Sequence, residues 1–202
     1  MSELEIEVKF YLSDKDALRK RILELGAVSE GRHFENNIRF DDADKRLMKN
    51  GSMLRLRQDS RAILTVKSAP PVADTQFKVF RELEVGVGNF EDMKRILEAL
   101  GFFPQQVYEK WRETFTLDNC ALCLDTMPYG DFLEIEGGRD GIRQLADALG
   151  LRWEKRILQS YLSIFAKLKE KLGFLFSDLS FDNFKSLDFD FSAYSPMFES
   201  GR

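Results

Sequence analysis

Residues 4–10 alternate between apolar and charged side chains at every step: Leu4-Glu5-Ile6-Glu7-Val8-Lys9-Phe10. Period two is the pattern of a strand with two unlike faces. Ser13-Asp14-Lys15-Asp16 reads as a helix start with Ser13 as N-cap. Ala17, Leu18, Ile22 and Leu25 then recur at helical spacing until Gly26 ends the stripe. An extended segment is predicted over 33–41, then a polar turn and a short segment over 47–50. Strands follow over 53–57, 63–67 and 76–87, with a loop at Pro70-Pro71. A second amphipathic helix spans 90–100. Further strands are predicted over 108–117, 122–125 and 132–136, with a turn at Pro128-Tyr129-Gly130, and helices over 142–149 and 160–172. The order resembles two copies of one strand-and-helix unit with a last helix added.

The strands share an oddity in their polar faces. Glu5, Glu7, Lys9, Arg55, Arg57, Lys67, Lys78, Glu82, Glu84, Lys110, Arg112, Asp125, Glu134 and Glu136 all stand opposite aliphatic or aromatic faces. The helices need apolar surfaces to pack on, and those faces supply them. The charged faces then look either at solvent, as sheets laced with cross-strand ion pairs, or at one another. Curling into a closed barrel would put them inside. Desolvating each ion costs several kcal/mol, so such an interior is tolerable only as a wet tunnel holding a highly charged ligand.

Composition narrows the choice. A chain of 202 residues suits one sizeable domain with or without an appendage. With 44% apolar and 32% charged residues it reads as soluble and globular. The net charge of −4 argues against a general nucleic-acid binder. No run approaches the roughly 20 apolar residues of a membrane span, and no signal pattern opens the chain, so a cytoplasmic protein with no membrane or nucleic-acid partner is expected. Cys120 and Cys123 form a C-x-x-C pair, but His33 is the sole histidine and no second pair exists. That argues against zinc, and the pair's place on a strand argues against redox chemistry.

The charge types specify the ligand. Arginines and lysines on several walls suit phosphate-like oxygens, Arg by bidentate geometry and Lys as a point charge. Carboxylates in the same cavity would repel that anion unless a divalent cation lay between. Mg²⁺ or Mn²⁺ takes oxygen ligands from carboxylates together with substrate phosphates. A metal-bridged triphosphate fits both sets, and no Gly-rich phosphate loop competes.

Glu5-Ile6-Glu7-Val8-Lys9 resembles the E-x-E-x-K signature of the CYTH superfamily, the triphosphate tunnel metalloenzymes. That superfamily includes class IV adenylyl cyclases, thiamine triphosphatases and inorganic triphosphatases. Leu54-Arg55-Leu56-Arg57, Leu64-Thr65-Val66-Lys67, Glu109-Lys110-Trp111-Arg112 and residues 124–137 are similar to its later motifs, in order. Ser160-Tyr161-Leu162 resembles the segment that closes the domain. The resemblance implies an α+β fold over residues 1–172: an eight-stranded antiparallel β-barrel, the triphosphate tunnel, with helices packed outside. It further implies Glu5, Glu7, Glu134 and Glu136 as ligands of Mg²⁺ or Mn²⁺. Lys9, Arg55, Arg57, Lys67, Lys78, Arg81, Lys110 and Arg112 would hold the triphosphate, and Lys9, Glu82, Glu84 and Asp125 would serve catalysis. Two departures stand out. Asn37-Ile38-Arg39 occupies a place where relatives often carry Asp-x-Tyr. Phe80 stands where many carry an inward Arg, so Arg81 reaches the tunnel only if a bulge rotates it.

Hydrolase and cyclase share most of these motifs. No adenine-reading signature is apparent, and Thr126-Met127-Pro128-Tyr129-Gly130 does not resemble the Gly-x-Gly turn of several cyclases. The reading favoured is hydrolysis of an inorganic or organic triphosphate. A class IV adenylyl cyclase is the alternative, and a catalytically idle polyphosphate- or nucleotide-binding module a third; self-association into a homodimer stays open. Residues 173–202 form a separate acidic tail in which seven phenylalanines are interleaved with aspartates. Seven phenylalanines in water would be costly, so the tail is expected to pack on the barrel's outer wall or on a partner.

Overall fold

The computed structural model describes residues 3–70 and 74–201. Its strands are β1 (Glu3–Leu12), β2 (Val28–Asp41), β3 (Met53–Gln58), β4 (Ala62–Ser68), β5 (Lys78–Val87), β6 (Phe103–Leu117), β7 (Cys120–Met127) and β8 (Gly130–Glu136). They close into one ring in the order β1-β5-β4-β3-β2-β6-β7-β8, every pair antiparallel. The eight-stranded barrel with helices outside is therefore the fold. The two apparent repeats share one sheet. Of the loop expected at Pro70-Pro71, Pro71 lies outside the described residues.

Alternation divides each strand between the ring's two surfaces, and the outer one is apolar. Val8, Phe10, Leu122, Leu124, Leu133 and Ile135 pack against α1 (Lys15–Glu24) and α4 (Arg139–Ala148), which contribute Leu18 and Ile22, and Ile142, Leu145 and Ala146. Ile38, Phe40, Leu54 and Leu56 pack against Phe90 and Leu97 of α3 (Phe90–Ala99). A short α2 (Arg46–Lys49) lies between β2 and β3. The N-cap of α1 is Asp14 rather than Ser13: its carboxylate accepts from Ala17 N at 2.9 Å, because the helix begins one residue later than the sequence suggests.

β2 and β6 run further than predicted and pair along most of their length, with register shifts at Ser29/Gly31 and Arg39/Phe40. Those irregular ends lack clean alternation, which is why the sequence pattern stops short of them.

One end of the ring is plugged. Ser160 caps α5 (Tyr161–Leu172), and Gly173, at φ 72°, ends it in the left-handed conformation that favours glycine. Ile164, Phe165 and Leu168 of α5 meet Tyr108, Met127, Tyr129 and Phe132 of the barrel and Leu179, Phe184, Phe191 and Phe198 of the tail. The tail also adds a bridge to β6, with Leu179 N donating to Val107 O and Glu109 N to Leu179 O, both at 2.9 Å. Its Phe191 packs at a tilt against Tyr11 and edge-on against Phe132, which sit at the inward parity of β1 and β8. The phenylalanines thus seal the barrel's end in addition to covering its side. Phe181 and Phe184 lie on a short helix α6 (Phe181–Phe184), Phe191 opens a 3-10 turn and the others lie in irregular chain, so no single period appears in the sequence.

Candidate active site

The inner surface encloses a cavity of about 550 Å³, within the range of roughly 300–1,000 Å³ usual for small-molecule sites. Glu5, Glu7, Arg55, Arg57, Lys67, Lys78, Glu82, Glu84, Lys110, Arg112, Glu134 and Glu136 line it. Strand parity puts them there, six strands contributing. Lys9 and Asp125 lie just behind this lining, 1% and 0% exposed. Arg81 does not reach it. β5 keeps an unbroken register, so no bulge turns the side chain, and Arg81 is exposed on the outer face. The Arg81 expectation is corrected accordingly.

Each tunnel acid but one is engaged by a base. Lys67 donates to Glu5 and lies 3.3 Å from Glu82; Lys78 donates to Glu7. Lys9 reaches Glu134 at 2.5 Å, and Arg112 also donates to Glu134. Arg55 lies 3.3 Å from Glu84 and 3.8 Å from Glu82. Glu136 has no cation within pairing distance among the described residues. Burial, reinforced by the charges of Glu5 and Glu7, pushes its carboxyl up to about 7. Burial likewise lifts Glu82 to about 7, with Lys67 opposing and Glu5 and Glu84 adding. Glu7 goes the other way: burial and Glu134 oppose its ionisation, but Lys78, Lys9 and Lys67 hold it down to about 2.

Asp125 fixes the geometry of the opposite side. Its carboxylate accepts from Arg112 Nε at 2.7 Å and Nη2 at 2.5 Å, from Lys110 Nζ at 3.1 Å and from the Tyr161 hydroxyl at 2.8 Å. Tyr161 enters from α5, and its ring lies 4.3 Å from Lys9 Nζ and 5.6 Å from Lys110 Nζ. Burial first, then the Asp125 and Glu134 charges, keep this phenol well above its ordinary pKa. Arg55 is held by Tyr108 at 3.3 Å and Thr65 at 3.2 Å.

Glu35 was missed by the sequence reading. It is 3% exposed and lies near Lys110, Arg57 and Arg112 at 3.5, 3.7 and 3.9 Å. Burial would raise its pKa, yet Lys110, Arg112, Arg57 and Arg55 together bring it down to about 2. Tyr108, Tyr161, Asn37 and Arg39 were missed as well. For Glu35, Asn37 and Arg39 the signal was present, since residues 33–41 carry polar side chains at every odd position. For Tyr161 there was none, because its spacing matches the apolar stripe of α5.

The donors grouped around Glu5, Glu7, Glu134 and Glu136 are all carboxylate oxygens, the chemistry of a hard divalent cation. As they stand, no three acidic or sulfur or imidazole side chains among the described residues converge as a ready cage. The lysines draw three of the four apart. Glu136, unpaired among the described residues, marks where negative charge is in excess, and a set of carboxylate oxygens there fits a hard divalent cation.

Comparison with known proteins agrees with the architecture. The CYTH domain model matches residues 3–166. A Methanocaldococcus jannaschii protein provisionally named adenylate cyclase is 26% identical over 173 residues, covering 80% of this chain and 98% of that protein. Among solved structures, a Pyrococcus horikoshii protein aligns with TM-score 0.67 and 28% identity, over 78% of this chain and 96% of its own. A Vibrio parahaemolyticus protein, also provisionally named adenylate cyclase, gives TM-score 0.73 at 21% identity, over 82% and 99%. A Hippeastrum protein, provisionally named adenylyl cyclase and described as revealing a dominant triphosphatase activity, gives 0.59 at 19%, over 82% and 95%.

Proposed function

Because this chain belongs to the CYTH domain family, we propose that it is a divalent-metal-dependent enzyme that hydrolyses a triphosphate inside the barrel. The carrying observation is the cavity itself, where seven bases and six acids from seven strands meet around one space. Bases alone would suit any polyanion. Acids interleaved with them suit a polyanion that arrives with a cation.

Arg55, Arg57, Lys67, Lys78, Lys110 and Arg112 bind the phosphoryl oxygens, and Lys9 adds its charge from beneath. Asp125 touches no substrate; it orients Arg112, Lys110 and Tyr161 as a positioning residue. Mg²⁺ or Mn²⁺ held by Glu5, Glu7, Glu134 and Glu136 would neutralise charge developing on the leaving phosphate. Glu82 and Glu84 orient the attacking water, and the positioned cations stabilise charge on the phosphoryl oxygens. Both thiols are free and buried, which suits a reducing compartment such as the cytoplasm.

A second reading, cyclisation of ATP, is favoured by the apolar rim of Met48, Met53, Phe80, Leu162 and Ala166, which could receive a nucleobase. Product analysis separates the two. Tripolyphosphate, ATP and thiamine triphosphate are each incubated with Mg²⁺ and with Mn²⁺. Metal-dependent release of orthophosphate is expected. Cyclic AMP with pyrophosphate from ATP would favour the cyclase, and no turnover of any of the three would leave a binding module.

A further inference from the structure

Six of the seven bases lining the cavity lie within 4.0 Å of a carboxylate. Among the described residues, the seventh, Arg39, has none. Its guanidinium meets only the Met48 sulfur at 3.5 Å, and its Nε is buried without an acceptor. Directly across the ladder stands Arg55, and on the other side Gln106. Like charges placed opposite one another are destabilising, and an anion between them reverses the sign. Met48 is 46% exposed, so Arg39 sits where the tunnel opens.

One step deeper on the same face is Asn37, between Arg57 and Tyr108 in register and 0% exposed. Neither atom of its amide has a hydrogen-bond partner, nor does Arg55 Nε, whereas Arg57 Nε lies 3.3 Å from an Asp59 carboxylate oxygen. The wall of β2 and β3 therefore holds three N–H-bearing nitrogens without an acceptor among the described residues: Asn37 Nδ2, Arg39 Nε and Arg55 Nε. Buried donors left unmatched are costly, and an oxygen-rich anion is the chemistry that satisfies them.

We propose that Asn37 and Arg39 form an additional phosphate subsite, engaging the mouth-side phosphoryl group of a bound linear polyphosphate and thereby selecting three-phosphate over two-phosphate chains. Arg39 presents a bidentate fork to that group, and Asn37, 0% exposed and behind the cavity lining, supports it from the next inward position of β2. The inference rests on the triphosphate reading above.

Titration calorimetry of the full chain with tripolyphosphate and with pyrophosphate, in EDTA and in Mg²⁺, tests it. Arg39→Gln and Asn37→Ala are each expected to weaken tripolyphosphate about 10- to 100-fold, to leave pyrophosphate within about twofold, and to keep the wild-type melting curve. Arg39→Lys should recover part of the loss, since it keeps charge without the fork. Arg57→Gln, in the shared site, should weaken both anions. Equal losses for both anions in Arg39→Gln, or no loss beside a clear loss in Arg57→Gln, would overturn the subsite and leave the triphosphate reading standing. Failure of the wild-type protein to bind tripolyphosphate in either buffer would overturn that reading, and the subsite with it.

Discussion

The two sides of the tunnel are built from different cations. On the side of β1, β5 and β8, glutamates are held by lysines: Lys67 on Glu5, Lys78 on Glu7 and Lys9 on Glu134. On the side of β2, β3 and β6, arginines predominate and are fixed from behind, Arg112 by Asp125 and Arg55 by Tyr108 and Thr65. A lysine is a point charge on a flexible stem, whereas an arginine fork is set in one plane. The arginine side is thus preorganised, whereas the lysine side is held by ion pairs that can be exchanged. On the reading proposed above, phosphate oxygens would take the lysines there as the glutamates took a cation. On that reading neither ligand would have a complete site on that side without the other.

Removing the brace on the arginine side gives the largest effect. Asp125→Ala leaves Lys110 and Arg112 buried without their main partner, and the expected loss is about 3–5 kcal/mol of stability, read by urea unfolding, together with weakened tripolyphosphate binding. A loss below about 1 kcal/mol would mean that the preorganisation lies elsewhere.

Glu35 probes the same side through pH. Its folded pKa of about 2, against 4.5 ordinarily, corresponds to about 3 kcal/mol. A depressed acid stabilises the fold above its unfolded pKa and loses that contribution as pH falls through the folded value. The stability gap between wild type and Glu35→Gln should therefore be full at pH 7 and shrink from about pH 4.5 towards pH 2. A gap independent of pH would place the stabilisation outside the charges of Lys110, Arg112 and Arg57.

On the lysine side, Glu136→Gln removes a carboxylate that no cation among the described residues holds. Metal affinity measured in the presence of tripolyphosphate should fall on the order of a hundredfold, with the melting temperature unchanged or raised because a like charge beside Glu5 and Glu7 is gone. Unchanged metal affinity would remove Glu136 from the ligand set. The smallest expected effect is Arg81→Gln, off the tunnel. Tripolyphosphate affinity should stay within about twofold and stability within about 0.5 kcal/mol, whereas a large loss of affinity would return Arg81 to the site.

Parity is what made the tunnel legible. A residue's face depends on counting along its own strand, so Glu5, Arg55, Lys110 and Glu136 were readable from their neighbours alone. Arg81 failed by the same count once no bulge appeared. Which base meets which acid depends on register between strands, and Lys9 with Glu134 spans 125 positions that no local pattern links. Asn37 and Arg39 obeyed the alternation but entered the sequence reading only as a departure from the family pattern. The phenylalanine tail packs through turns of unlike period, so its place over the barrel's end had no local signature.

The pairing of β1 with both β5 and β8 also bears on how the molecule is made. Synthesis proceeds from the N-terminus, so the first strand leaves the ribosome with its charged face complete and both neighbours still untranslated. Lys9 waits for residue 134, and the ring cannot shut before then. Contacts so distant along the chain slow folding, and an unpaired edge is exposed meanwhile. The same glutamates and lysines that serve the finished cavity carry charge on that waiting strand, and charge on a bare edge discourages neighbouring chains from joining it.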